Sequence, residues 1–492
     1  MVVRNFTDIK ELFFKNKSLK QTIFKNTFWI TGSQVFTKFL KLFLLIYVAR
    51  ILGATDYGKF SFAFAFTGLF VVIIDLGISM IATREFAKEK KREGDFPFLL
   101  TLEILLSFVA LILILFFSLF VTDSPEIRKV IWLLAVYNIA HGFGGIIYAF
   151  FRARQQMEYE ALGIVFEAVT VTFLGLLVIF KFPSVINLSY AYLLTGIFFV
   201  AFLFLLFHLK FAPLKFGISR TVWRNYLAMS WPLALVGILG MIYGQIDSVM
   251  LGYWNQITET GWYNAAYRLI GAVLVLNSFV STSFFPVLSK YFKESKGIFQ
   301  KIWTAQIELL ILLAFPIVVG GIILAPGIIE FIYASGYQPS VLAFQILLLM
   351  VGINFLQMPF RQALIAADHQ KKVFWTTLLG TIINVFLNAF LIPRYSLYGA
   401  AAATATTWLI ILSCFIIFTY RFTSIRALGS KLALTTVLAI TATFLMYLTI
   451  DHFSAYNLHI LILIPFGVAI YFSLFFGLKY LGRKINHLVK TI

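Results

Sequence analysis

The chain has 492 residues, of which 61% are hydrophobic and only 12% charged, with a formal net charge of +19. Soluble domains carry about 25% charged residues, so a water-soluble globular fold is excluded, and no folded basic module stands outside the apolar segments to serve nucleic acid. The single cysteine, Cys414, excludes an intramolecular disulfide and makes no metal site alone.

In chain order, residues 1–27 are polar and basic and lack the short apolar core of a signal peptide. Within them Ile9, Leu12, Phe13 and Leu19 can form the apolar side of an interfacial helix. Fourteen apolar segments follow, at about 28–50, 60–81, 98–121, 130–151, 160–181, 188–208, 227–252, 262–289, 303–325, 340–362, 373–392, 398–420, 431–450 and 457–479. Each can cross a hydrocarbon core about 30 Å thick. Lipid leaves backbone groups no external partner, so the crossings are expected as helices. Barrel strands would alternate apolar and polar residues, and runs such as 64–74 and 102–120 do not. The expected fold class is an all-α integral membrane protein of about 14 transmembrane helices.

The segment ends and connections fall into two alternating sets. The set 1–27, 82–97, 151–160, 208–226, 289–303, 361–373, 420–431 and 479–492 holds 31 Lys and Arg. The set 50–59, 122–129, 181–188, 252–262, 325–340, 392–398 and 451–457 holds 6. The positive-inside rule places the first set, with both termini, in the cytoplasm of a cell-membrane protein. Only three basic residues remain, Lys38, Lys41 and Arg268, all within apolar segments.

The chain also repeats. Thr55-Asp56-Tyr57-Gly58-Lys59-Phe60 and Thr258-Glu259-Thr260-Gly261-Trp262-Tyr263 share Thr, acid, any residue, Gly, any residue, aromatic, at an offset of 203. Pro183 and Pro393 precede the sixth and twelfth segments alike. The expected organisation is a basic segment 1–27, a six-helix bundle 28–210, a linker 211–226, a second bundle 227–421 in parallel repeat, and two further helices with a basic tail over 422–492.

Enzyme chemistry has no foothold. There is no phosphate-binding Gly-x-x-x-x-Gly-Lys-Ser/Thr loop, no His-Glu-x-x-His pattern and no Gly-x-Ser-x-Gly elbow. No connection is long enough for a nucleotide-sugar domain or for the large outer loop of a membrane polymerase or ligase. The expectation is transport without a catalytic residue, metal or cofactor.

Charges inside lipid cost about 2.5–3.5 kcal/mol on insertion scales, so they face a partner or a wet cavity. On the first segment Gln34, Lys38 and Lys41 fall at i, i+4 and i+7, with Thr31 and Thr37 beside them, as one polar stripe. On the eighth, Asn264, Arg268 and Gly271 align. Lys38, Lys41 and Arg268 are the candidate anion-binding residues, with Gln34, Thr37, Asn264, Asn354, Gln357 and Arg361 as polar walls. The alternative for the cations is snorkelling toward an interface. Asp75 and Asp247 can each bind a coupling H⁺ or Na⁺, or balance one of the cations. Glu103 and Glu308 are expected near the inner interface.

These motifs carry a resemblance. Residues 49–60, Ala-Arg-Ile-Leu-Gly-Ala-Thr-Asp-Tyr-Gly-Lys-Phe, are followed by Asp75-Leu76-Gly77. Residues 245–252, Gln-Ile-Asp-Ser-Val-Met-Leu-Gly, are followed by 261–269, Gly-Trp-Tyr-Asn-Ala-Ala-Tyr-Arg-Leu. Together with the segment count, they resemble the polysaccharide transporter branch of the multidrug/oligosaccharidyl-lipid/polysaccharide exporters, with O-antigen flippases among its members. The resemblance covers about 20–420 well and the last two helices more loosely. It implies two bundles around a cavity open alternately to either side. It also implies a lipid-linked oligosaccharide substrate on polyprenyl phosphate or diphosphate, with membrane lipids and glycan-assembly enzymes as partners. By the same resemblance the cationic cavity residues meet the lipid diphosphate, with Asp247 and Arg268 inside family motifs. A small-molecule exporter of the multidrug kind is the alternative.

Overall fold

The computed structural model describes residues 15–16, 18–211, 213–420, 423, 425–454 and 459–491. The interfacial side expected on Ile9, Leu12 and Phe13 lies outside the described residues, as do the side chains of the basic tail from 482.

Among the described residues twelve helical runs are long and apolar enough to cross a membrane, which makes this a multi-pass membrane protein. Two runs exceed one crossing: 19–88 has 70 residues and 370–419 has 50. At 1.5 Å per residue a continuous 50-residue helix would reach about 75 Å, more than twice a bilayer core. Each is broken instead. Helix α1 (Leu19–Leu69) carries non-helical Gly53 at φ 77, ψ 172. Chain order continues with α2 (Val71–Asp75) and α3 (Ile78–Lys88), separated by left-handed Leu76 (φ 45) and Gly77 (φ 76). Then come α4 (Phe96–Val121), α5 (Pro125–Ala153), α6 (Met157–Lys181), α7 (Val185–Lys210), α8 (Arg220–Tyr253) and α9 (Ile257–Glu294). The rest are α10 (Lys296–Phe315), α11 (Gly321–Tyr333), α12 (Ser340–Ala366), α13 (Gln370–Thr419), α14 (Ile425–Ser454) and α15 (Ile460–Thr491). In α13 the break is at Ser396 (φ 54, ψ −134). A π-helical turn, Pro316–Gly320, joins α10 to α11.

The helices start where the sequence supplies caps. Ser18, Ser124, Ser184, Ser219 and Ser295 each accept a first-turn backbone N–H, from Gln21, Ile127, Ile186, Val222 and Ile298. Each satisfies a donor that the helix itself cannot. Pro125 follows Ser124 at the first helical position, where a missing N–H costs nothing.

The chain divides into two compact units, 1–261 and 262–492. Helix α8 belongs to the first, packed against α1, α2, α3 and α4. The packing boundary therefore lies one helix beyond the 211–226 linker of the sequence repeat. The first unit's core gathers Ile78, Phe96, Phe150, Phe151 and Phe207, with the Phe96 and Phe207 rings stacked at 4.8 Å. In the second, α10, α12, α14 and α15 enclose fully buried Trp303, whose indole N–H donates to the Pro359 carbonyl at 3.0 Å.

The repeated motif makes a reciprocal contact inside the first unit. A Cβ on Gly58 would stand 1.8 Å from the Ile257 carbonyl oxygen, and one on Gly261 would stand 1.9 Å from the Ala54 oxygen. Thr55 and Thr258, 203 apart in sequence, join by their hydroxyls at 2.9 Å. Small residues let helix backbones touch in this way, which is why both copies of the motif need glycine.

Candidate functional site

The polar stripe on α1 is present. Gln34 and Lys38 are exposed and Thr31 with them, whereas Thr37 is buried on the adjoining face. Lys41, one turn further, is held. Its Nζ lies 2.8 Å from Glu167 Oε2 on α6 and donates to the Tyr137 hydroxyl of α5 at 3.4 Å. Tyr137 donates to the same carboxylate. The Lys41 side chain keeps 31% of its surface open, while Glu167 keeps 3%. His141 is one turn beyond Tyr137 on α5, exposed and within the field of both charges. The unit thus presents an exposed ammonium at Lys38 and a second one, at Lys41, that is balanced by a buried carboxylate. A buried ion pair offsets the cost of each charge only while both partners remain.

In the second unit Arg268 is half-buried on α9, one turn after buried Asn264. Arg361 is exposed, while Asn354 and Gln357 are buried. Asn354 belongs to a chain of amides linking α9, α12 and α10. Asn277 Nδ2 donates to Asn354 Oδ1 at 2.6 Å, and Ser281 donates to Asn277 Oδ1. Gln362 donates to the Ser281 carbonyl and Gln306 donates to Gln362 Oε1, each at 2.7 Å. The Asn354 amide is spent on helix cohesion rather than on an open wall. Gln357 Oε1 has no hydrogen-bond partner.

Of the two candidate acids, Asp247 is 7% exposed on α8 beside buried Ser248. Asp75 closes α2 just before the Leu76–Gly77 break and accepts the Ser79 backbone N–H at 2.8 Å and the Ser79 hydroxyl. It thereby caps the open N-terminus of α3, where a negative charge is favoured. Glu103 is fully buried at 0% exposure on Asp75's side of α4. Cationic partners at that site are absent from the recorded ion pairs among the described residues.

Sequence reasoning missed the packing role of charges in the basic connections. Fully buried Lys25 pairs with Glu158 at 2.9 Å and donates to the Gln155 carbonyl. Arg152 grips Glu160 through two nitrogens, and Arg154 grips Glu93 likewise, its guanidinium over the Phe150 ring at 4.4 Å. These residues were counted only for topology. The signal was available: Glu93, Glu158 and Glu160 are acids set among the cations of the same loops.

Residues 23–292 match the family model described as polysaccharide biosynthesis protein. An uncharacterized membrane protein of Methanocaldococcus jannaschii is 24% identical over 415 residues, covering 78% of this chain and 94% of that one. A probable flippase, AglR, of Haloferax volcanii is 26% identical over 192 residues, 38% of this chain and 39% of that one. Among solved structures, the lipid II flippase MurJ in an inward closed conformation superposes with a TM-score of 0.75 at 16% identity, covering 92% of this chain and 98% of that one. That likeness is one of fold.

Proposed function

Because the chain belongs to the polysaccharide biosynthesis protein family, the branch its motifs resemble, we propose that it is a flippase for lipid-linked oligosaccharide. It carries a glycan on polyprenyl phosphate or diphosphate from the cytoplasmic to the outer leaflet of the cell membrane, for surface-glycan assembly. The solved flippase of like fold and the flippase named among the relatives support this reading.

The observation that carries it is the α1 stripe. Gln34 and Lys38 stand exposed, and Lys41 half-exposed, in an otherwise apolar run. A diphosphate entering hydrocarbon needs cations to replace its water, and ammonium and guanidinium groups hydrogen-bond its oxygens strongly. Lys38 is the first contact. Lys41 can turn to phosphate once Glu167 is neutralised or displaced, and Arg268 is the cation from the second repeat. Gln34 and Arg361 add polar wall for the sugar, and the polyprenyl tail stays in lipid.

Transport proceeds by alternating access of the repeats 28–210 and 227–421. We read the two broken runs as two crossings each, giving fourteen with both termini in the cytoplasm. The 31-to-6 division of Lys and Arg between the connections supports that orientation.

The test is headgroup binding. Purified protein in micelles should bind polyprenyl diphosphate more tightly than the uncharged polyprenol, with affinity falling as salt rises. Lys38→Ala and Arg268→Ala should each weaken diphosphate binding about ten-fold, the loss of one charge-assisted contact of about 1.5 kcal/mol. Equal binding of the two lipids would overturn the assignment.

A further inference from the structure

We infer that Asp75 and Glu103 form a proton-binding site, holding one exchangeable proton between two carboxyl groups inside the first unit. The idea that this proton couples to transport rests on the flippase reading. The binding itself does not.

The geometry comes first. Glu103 is completely buried, and among the described residues neither of its carboxyl oxygens has a hydrogen-bond partner in good geometry. The Ser79 hydroxyl and the Ile146 backbone are its polar neighbours, and Ser79 is already committed to Asp75. On α5, Gly145 leaves a gap between the acids. A Cβ there would lie 2.6 Å from Ser79 Oγ and 3.6 Å from both Asp75 Oδ1 and Glu103 Oε1. The carboxyl groups thus border one space only a few atoms wide.

Among the described residues, the charged groups near the pair are already engaged elsewhere. Helix α5 meets α2 through Gly142, against Val71 and Ile74, and meets α3 through Gly145, against Ser79. Helix α8 meets the break through Ser230, Leu233 and Ala234, none of which titrates. Arg152 on α5 is within electrostatic reach of Asp75 but is gripped by Glu160. Arg84 on α3 pairs with Glu85, and Tyr226 on α8 donates to Asp95.

Two carboxylates this close in a low-dielectric interior do not both stay ionised, and their titration belongs to the pair. The hydrogen bonds choose the carrier. Asp75 already accepts an N–H and an O–H, both from Ser79, at a helix N-terminus. Glu103 has only the Ser79 hydroxyl and the Ile146 backbone nearby, neither in good hydrogen-bonding geometry, so its ionised form would be poorly solvated. Glu103 therefore carries the proton, and its O–H becomes the donor that faces the Asp75 carboxylate. On release the proton leaves past Asp75, the less buried of the two carboxyl groups. Loss of the proton would raise the negative charge beside the Leu76–Gly77 break.

The experiment follows the carboxyl C=O band of the full chain in nanodiscs by infrared difference spectroscopy across a pH titration. A protonated carboxyl band should be present at neutral pH, vanish in Glu103→Gln and persist in Glu308→Gln. It should change frequency but remain in Glu103→Asp, a variant that also guards against misfolding of the first. A band equally strong in wild type and Glu103→Gln would overturn the site. Loss of the wild-type band on adding NaCl at fixed pH would overturn it too, by making the pair a cation site. In vesicles, flipping by wild type should accelerate about ten-fold or more under an imposed pH gradient, and in Glu103→Gln it should not respond. Flipping indifferent to the gradient with the band intact would overturn the coupling role alone, and absence of any flipping would strike the flippase reading instead.

Discussion

At the residue scale, Lys38 and Lys41 look equivalent in sequence and are not equivalent in the fold. Lys38 is exposed, whereas Lys41 is tied to Glu167 and Tyr137. Removing Lys41 strands a buried carboxylate, a loss of about 3–5 kcal/mol for a fully buried pair. With the Lys41 side chain 31% open to solvent, we expect Lys41→Ala to cost about 2–3 kcal/mol. Lys38→Ala should change stability by less than about 0.5 kcal/mol. Thermal unfolding in detergent, followed by tryptophan fluorescence, checks both, and Lys41→Met with Glu167→Gln should restore most of what Lys41→Ala loses. Helical spacing alone made the stripe legible, because i, i+4 and i+7 share a face whatever they touch. Glu167 and Tyr137 stayed hidden because pairing depends on which helices pack together, and a single chain without contacts does not say. Burial of Thr37, Asn264, Asn354 and Gln357 was hidden for the same reason.

At the element scale, the breaks matter more than the helices. The sequence motif repeated at an offset of 203 was legible, but its meaning became clear only from the contact between Gly58 and Ile257 and its mirror between Gly261 and Ala54. Backbone stands on both sides of each contact, so no rotamer change relieves an added methyl. Gly58→Ala and Gly261→Ala should each destabilise by about 1–3 kcal/mol, measured by the same unfolding experiment. Thr55→Val should stay within about 0.5 kcal/mol, since that hydroxyl pair is exposed. Equal tolerance of Ala at both glycines would refute the close crossing. Apolar patterning located the long helical runs but set their ends too short. Polar and charged residues continue the helices beyond the apolar runs, as α1 shows by starting at Leu19 rather than 28.

At the scale of the whole molecule, the division of charge predicts orientation. Among the cations of the basic connections, Lys25, Arg152 and Arg154 also hold helices together through buried or half-buried acids. In a Cys414→Ser background, Asp123→Cys should react with a membrane-impermeant maleimide in intact cells. Lys296→Cys should react only after permeabilisation. The reverse pattern would invert the topology. Composition and periodicity made the helical membrane class legible, and the motifs made the family legible. The packing of α8 into the first unit was not legible, because a repeat in sequence does not fix where compact units part.

The central claim is that intramembrane cations carry an anionic lipid headgroup across the bilayer. Purified protein reconstituted into vesicles with a fluorescent lipid-linked oligosaccharide measures it directly, by the fraction of label that an external quencher reaches with time. The account predicts rapid access to the inner-leaflet pool with wild type. It predicts access at the protein-free rate with Lys38→Ala combined with Arg268→Ala, in protein that folds and inserts normally. Full-speed flipping by that double variant would contradict it.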